Sequence, residues 1–212
     1  MLANTSSAWI DFVRHILKEE GGKSNDPRDT ASKCVPPGKI HTNKGVTYCT
    51  YKESAEKLGL STSYDAFLKL TDVDAAKFIY RFYMSVNGLE FPDSIALILT
   101  ESAWGSGQKR AWDHLYKALD NLGQSGTNKQ EAIKKANILP EKVLFDEIVK
   151  VRRQYLDFLL SMPKYSMFKG WIPRLKRFYA SFNPAELAGK KKIYLALAGL
   201  LIVYLIIKNI KK

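Results

Sequence analysis

Apolar side chains recur every three or four positions through most of this chain, and that spacing restricts it to a mainly helical fold. The first stripe is Trp9, Phe12, Val13, Ile16 and Leu17, preceded by Ser6 and Ser7, either of which can cap a helix. Gly21 and Gly22 end it. Further helices are predicted over Lys52–Leu58, stopped by Gly59, and over Tyr64–Leu70. Another starts at Thr71, where Asp74 three residues on resembles a capping box. Pro92 opens the next, Gly105-Ser106-Gly107 interrupts, and a following helix closes near Gly123. Gln124–Asn137 is polar and reads as a loop with a short helix. Pro140 starts a long helix to about Ser161, expected to be buried through Leu144, Ile148, Val151, Tyr155 and Phe158, and an amphipathic piece covers Trp171–Tyr179.

The exception is Lys23–Tyr51, rich in Asn, Asp, Pro, Gly, Ser and Thr. Strand-like pieces at Lys39–Thr42 and Gly45–Thr50 suggest a small β-hairpin lobe beside the first helix. The expected class is therefore mainly α, of an α+β kind: a helical bundle with a hairpin lobe. Four regions are expected: 1–90, 91–182, a basic linker at 183–192 and a membrane-spanning helix at 193–210.

That last expectation comes from Ile193–Ile207, fifteen apolar residues with lysines before and after. Such a helix is roughly 22 Å long at 1.5 Å per residue, against about 30 Å of bilayer hydrocarbon. Extension to Ile210 with Lys208 snorkelling closes most of the gap. Tyr194 and Tyr204 lie near the ends, where amphipathic rings favour an interface. A lipid membrane is thus an expected partner through Ile193–Ile210, and the expected location is anchored by the C-terminus in a virion membrane or host cell envelope. Met1–Ala8 lacks the pattern of a cleaved secretory signal.

The net charge of +12 favours a polyanionic partner. No nucleic-acid motif accompanies it, so no nucleic acid is expected. Cys34 and Cys49 flank a Pro- and Gly-containing loop. They form either a disulfide in an oxidising compartment or two free thiols in a reducing one. With His41 they make three metal ligands at best, so no metal site is expected.

The chemistry points to Glu20. Glu19 and Glu20 stand at the last turn of the first helix, facing the negative end of its dipole, a local conflict of the kind found at functional sites. A glycosidase needs one protonated acid for the leaving oxygen and commonly a second carboxylate, which activates water or attacks carbon. Asp29 follows nine residues later in the irregular segment, and Thr47 can hold a water by its hydroxyl. Taken alone, the same residues also fit a solvated acidic turn in which Asp26 and Asp29 bend the backbone.

Glu20-Gly21-Gly22, then Asn25-Asp26-Pro27-Arg28-Asp29, then Thr42-Asn43-Lys44-Gly45-Val46-Thr47 resembles the signature of the phage and bacterial N-acetylmuramidases of glycoside hydrolase family 108. The resemblance implies a lysozyme-like fold and hydrolysis of bacterial peptidoglycan, with Glu20 as catalytic acid and no cofactor. The order Glu20, Asp29, Thr47 is also similar to the acid, water-positioning carboxylate and threonine of inverting phage lysozymes. Asp26, Tyr51 and Trp104 are further candidates for substrate contact. Phe91–Gly123 and Phe168–Arg174 resemble the predicted peptidoglycan-binding domain of that family. Three departures stand out: Lys23 replaces the usual Tyr, an insert at Thr30–His41 replaces a Gly-Gly pair, and Gly105 replaces an Asn. The implied protein is a membrane-anchored, phage-type muramidase carried by a membrane-containing virion, with other virion proteins as further partners. The alternative is a non-catalytic virion or envelope protein that binds peptidoglycan or aids assembly.

Overall fold

The computed structural model describes residues 7–193 apart from residues 127 and 167 and the side chain of Thr30. The chain divides into two compact units. The first lies within Met1–Leu89 and Leu99–Asp113; the second lies within Glu90–Ile98 and His114–Lys212.

The first unit begins with α1 (Ser7–Glu20), which buries Ala8, Trp9, Phe12 and Ile16. Gly21, at φ +64, provides the left-handed residue that stops this helix. Three two-residue strands follow, β1 (Lys23–Ser24), β2 (Thr42–Asn43) and β3 (Val46–Thr47), in antiparallel order β1-β2-β3. Lys23 faces Asn43 and Ser24 faces Thr42, while Thr42 faces Thr47 and Asn43 faces Val46. Lys44 and Gly45 make the β2–β3 turn with φ of +51 and +76, the double positive φ that a tight right-twisted hairpin requires. The loop expected to run on as strand to Thr50 becomes helix instead. Thr47 accepts the backbone N–H of Thr50 and thereby caps α2 (Tyr48–Ser54).

Next come α3 (Tyr64–Leu68) and α4 (Asp72–Ser85). The Thr71–Asp74 capping box is fully formed at the start of α4. Trp9 sets its ring edge against Tyr80 and Tyr83, which fixes α1 on α4. Val46, Tyr51, Ala55, Phe67, Leu70, Ala75 and Phe78 form a core cluster, with Leu17 and Trp104 packed against it. Buried Asn43 donates from Nδ2 to the Phe67 carbonyl at 2.8 Å, tying the sheet to α3.

Two helices, α5 (Asp93–Ser106) and α6 (Gln108–Asn121), have residues in both units. The second unit continues with α7 (Lys129–Ile138), α8 (Glu141–Ser161) and α9 (Trp171–Phe182). The Phe145 ring on α8 stacks with Phe178 and meets Tyr179 of α9. Ser94 and Asn121 hold α8 through Glu141 and Glu147, at 2.6 and 2.7 Å. The buried stripe of α8 is Leu144, Phe145, Ile148, Val151, Arg152 and Leu156. Phe158, expected inside, is 57% exposed. The helix turns by about 100° per residue, which carries position 158 off the face that Leu156 occupies.

The expected membrane-spanning helix requires correction. Among the described residues no helix is long and apolar enough to cross a membrane. The longest described helix, α8, carries charges along its length. Of the run Ile193–Ile210, all but Ile193 lies outside the described residues. The fold is thus mainly helical with one small sheet. Residues 184–193 are helical.

Candidate active site

Glu20 is partly buried at the C-terminal end of α1. The indole N–H of Trp104 donates to its Oε1 at 2.8 Å, across 84 positions of sequence. The β2–β3 turn closes on the same side chain. A methyl group built on Gly45 would stand 2.6 Å from Glu20 Cγ, 2.9 Å from its Cβ and 2.8 Å from Trp104 Cζ2. Glycine is therefore demanded at position 45 twice, by backbone angle and by space. Lys44 N–H also donates to the Gly22 carbonyl at 3.3 Å, so the turn is laced to the end of α1. At its other edge Lys44 Nζ pairs with Asp72 at 2.5 Å.

Asp29 lies in the arm between β1 and β2. Its Oδ1 accepts the Ala31 N–H at 2.9 Å, capping the short 3-10 helix Thr30–Cys34. Its own N–H bonds the Asp26 carbonyl at 3.0 Å. Buried His41 braces this turn: Nε2 donates to that same Asp26 carbonyl at 3.0 Å, while Nδ1 meets Thr42 Oγ1 at 2.8 Å. Because a carbonyl only accepts, Nε2 carries hydrogen here. The insert Thr30–His41 is further closed by the Cys34–Cys49 disulfide, which joins it to α2, and by Tyr64, whose hydroxyl donates to the Ile40 carbonyl at 3.0 Å.

Thr47 ends the sheet and starts α2. Its Oγ1 accepts Thr50 N–H at 3.2 Å and its hydroxyl donates to Thr50 Oγ1 at 3.0 Å. Asp26 is clamped by Arg28, whose Nε and Nη2 reach its two carboxyl oxygens at 2.8 and 2.5 Å. Hydrogen bonds from the Arg28 side chain, then from its backbone N–H, lower the Asp26 carboxyl from 3.8 to about 2.

Glu20, Gly45 and Trp104 are thus brought together, while Asp29 and Thr47 each hold a local turn. Tyr51, expected at the substrate, belongs to the core. It is 1% exposed, its hydroxyl donates to the Ser61 carbonyl at 2.5 Å, and its ring packs on Phe67 and Phe78. Trp112 is buried as well. Trp171 stacks on Phe168 at 4.8 Å in the second unit. The sequence reading missed the parts played by Gly45 and His41. Gly45 stood within the motif without a task, and His41 had been weighed only as a metal ligand.

The site thus consists of a helix-end carboxyl braced by a hairpin turn and an indole, on a mainly helical frame with a minimal sheet. Residues 13–107 match the model of the family described as Glycosyl hydrolase 108. The region that carries Glu20, Asp29, Thr47 and Trp104 belongs to that family, and the protein is a peptidoglycan-degrading, lysozyme-like glycoside hydrolase. The chain shares its fold with the solved structure of Brucella abortus SagA, at 22% identity and a TM-score of 0.61, covering 83% of this chain and 95% of that one. No curated protein matches the sequence. Residues 108–212 fall outside the family match.

Proposed function

We propose that the protein hydrolyses the bond between N-acetylmuramic acid and N-acetylglucosamine, with Glu20 as the general acid. The proton of Glu20 passes to the glycosidic oxygen as the bond from that oxygen to the anomeric carbon breaks. The bond's electron pair stays with the departing sugar. A water oxygen then bonds the anomeric carbon. Its released proton leaves through a base, and Glu20 is reprotonated from solvent, so the net change is addition of one water.

Asp29 is the proposed base and Thr47 helps to order the water. Asp29 Oδ1 accepts the Ala31 N–H at 2.9 Å, so Oδ2 is the oxygen proposed for this task. The observation that carries the reading is the family match, which spans all three residues. The net charge of +12 suits an anionic wall polymer. The helices of the second unit are proposed to add contacts to the glycan, as their sequence resemblance suggests. A setting in a phage particle is supported by the resemblance to phage muramidases; detection of the chain in purified particles would check it.

Glu20→Gln is the direct test. It should abolish release of reducing sugar from purified peptidoglycan while the thermal melt stays close to that of the parent. Mass analysis of the products by the parent enzyme should find N-acetylmuramic acid at the new reducing ends. N-acetylglucosamine there, or full activity of the Gln variant, would refute the assignment.

A further inference from the structure

We infer that Trp104 is a positioning residue that gives the two oxygens of Glu20 different tasks. Oε1 is held by the indole, and Oε2 carries the proton to the substrate. The inference rests on the reading of Glu20 as general acid. It is argued from the contact itself. The indole N–H is a donor only, so it can bond Oε1 whether or not Glu20 holds its proton, and it can never take that proton. In a carboxylic acid the carbonyl oxygen is the better acceptor. A donor 2.8 Å from Oε1 therefore makes Oε1 the carbonyl and leaves the hydrogen on Oε2.

The holder is itself fixed. Trp104 lies on α5, its ring edge stands against Phe82 at 5.4 Å, and it packs on the core cluster that includes Val46 and Tyr51. Gly45 lies beside both partners, so that a Cβ there would fall 2.6 Å from Glu20 Cγ and 2.8 Å from Trp104 Cζ2. The carboxyl thus has one orientation before substrate arrives, which is what proton transfer over hydrogen-bond distance needs.

The same bond helps more as the reaction proceeds. Hydrogen bonds to an ionised acceptor are stronger than those to a neutral one. As Glu20 gives up its proton, negative charge grows next to the indole donor. The contact then stabilises the transition state more than the ground state, so its loss should appear in kcat and not in KM.

Trp104→Phe keeps a ring against Phe82 and removes the donor. On purified peptidoglycan fragments, kcat should fall about 10- to 100-fold, the range of a lost hydrogen bond to a charged group, while KM stays within about twofold. An unchanged kcat, or a loss that appears in KM instead, alongside an inactive Glu20→Gln, overturns this inference and leaves the acid assignment standing. Full activity in Glu20→Gln overturns the assignment itself. If the Phe variant does not fold, the parent protein decides by NMR. The Trp104 indole N–H resonance should move in Glu20→Ala, which removes its acceptor; a resonance that stays in place overturns the inference.

Discussion

Replacing Gly45 with Ala tests the packing of the hairpin turn on the acid, and Gly38 provides the matched control. Both glycines have left-handed backbone, with φ of +76 and +78. Each Ala variant therefore pays the same backbone cost, roughly 1–2 kcal/mol for a Cβ in that region. Their surroundings differ. A Cβ at Gly38 meets nothing within 4 Å, whereas one at Gly45 falls 2.6 Å from Glu20 Cγ and 2.8 Å from Trp104 Cζ2. Overpacking of this kind costs about 1–3 kcal/mol more. Gly45→Ala should therefore lose about 2–5 kcal/mol in total, against roughly 1–2 for Gly38→Ala. Urea denaturation of the two variants measures the difference, and their turnover of peptidoglycan measures its effect on Glu20. Gly45→Ala should be strongly impaired, because relief of the clash moves either the acid or its indole partner. Equal stability of the two variants, with activity retained in both, would refute the claim that the turn braces the acid.

Other expectations concern the supports of the site. Changing Cys34 and Cys49 together to Ser opens a loop of 15-residue separation, which should cost about 3 kcal/mol of stability by the loop-entropy relation; denaturation of both forms under non-reducing conditions reads it. Asn43→Ala removes the Nδ2 donor to the Phe67 carbonyl, which keeps the Leu70 N–H, so a loss of about 0.5–1.5 kcal/mol is expected in the same assay. The Asp26 carboxyl should titrate at about 2 by carbon NMR, moving back toward 3.8 in Arg28→Ala. Its folded value lies below its unfolded one, so the stability it contributes is complete above 3.8 and fades as pH falls toward 2.

What could be read from sequence was what neighbours decide. The Thr71–Asp74 box and the long helix after Pro140 depend on caps and periodicity within a few residues, and both formed as read. Thr47 was read as strand with its followers, although a threonine three residues before Thr50 also carries a helix-start signal. Phe158 was misplaced because an apolar residue near a stripe does not reveal which side the neighbouring helices cover. The hydrogen bonds of Tyr51 and His41 reach backbone carbonyls 10 or more positions away. Most remote was the partner of Glu20: nothing near residue 20 or residue 104 hints that they meet.

That long reach sets the smallest useful piece of this enzyme. A fragment cut at residue 90 would retain the whole Glu-Gly-Gly to Gly-Val-Thr motif and lack the indole that grips the acid. Anyone trimming the protein for delivery or fusion should keep α5 to its last turn, because the tool is finished only when the chain returns to its own beginning.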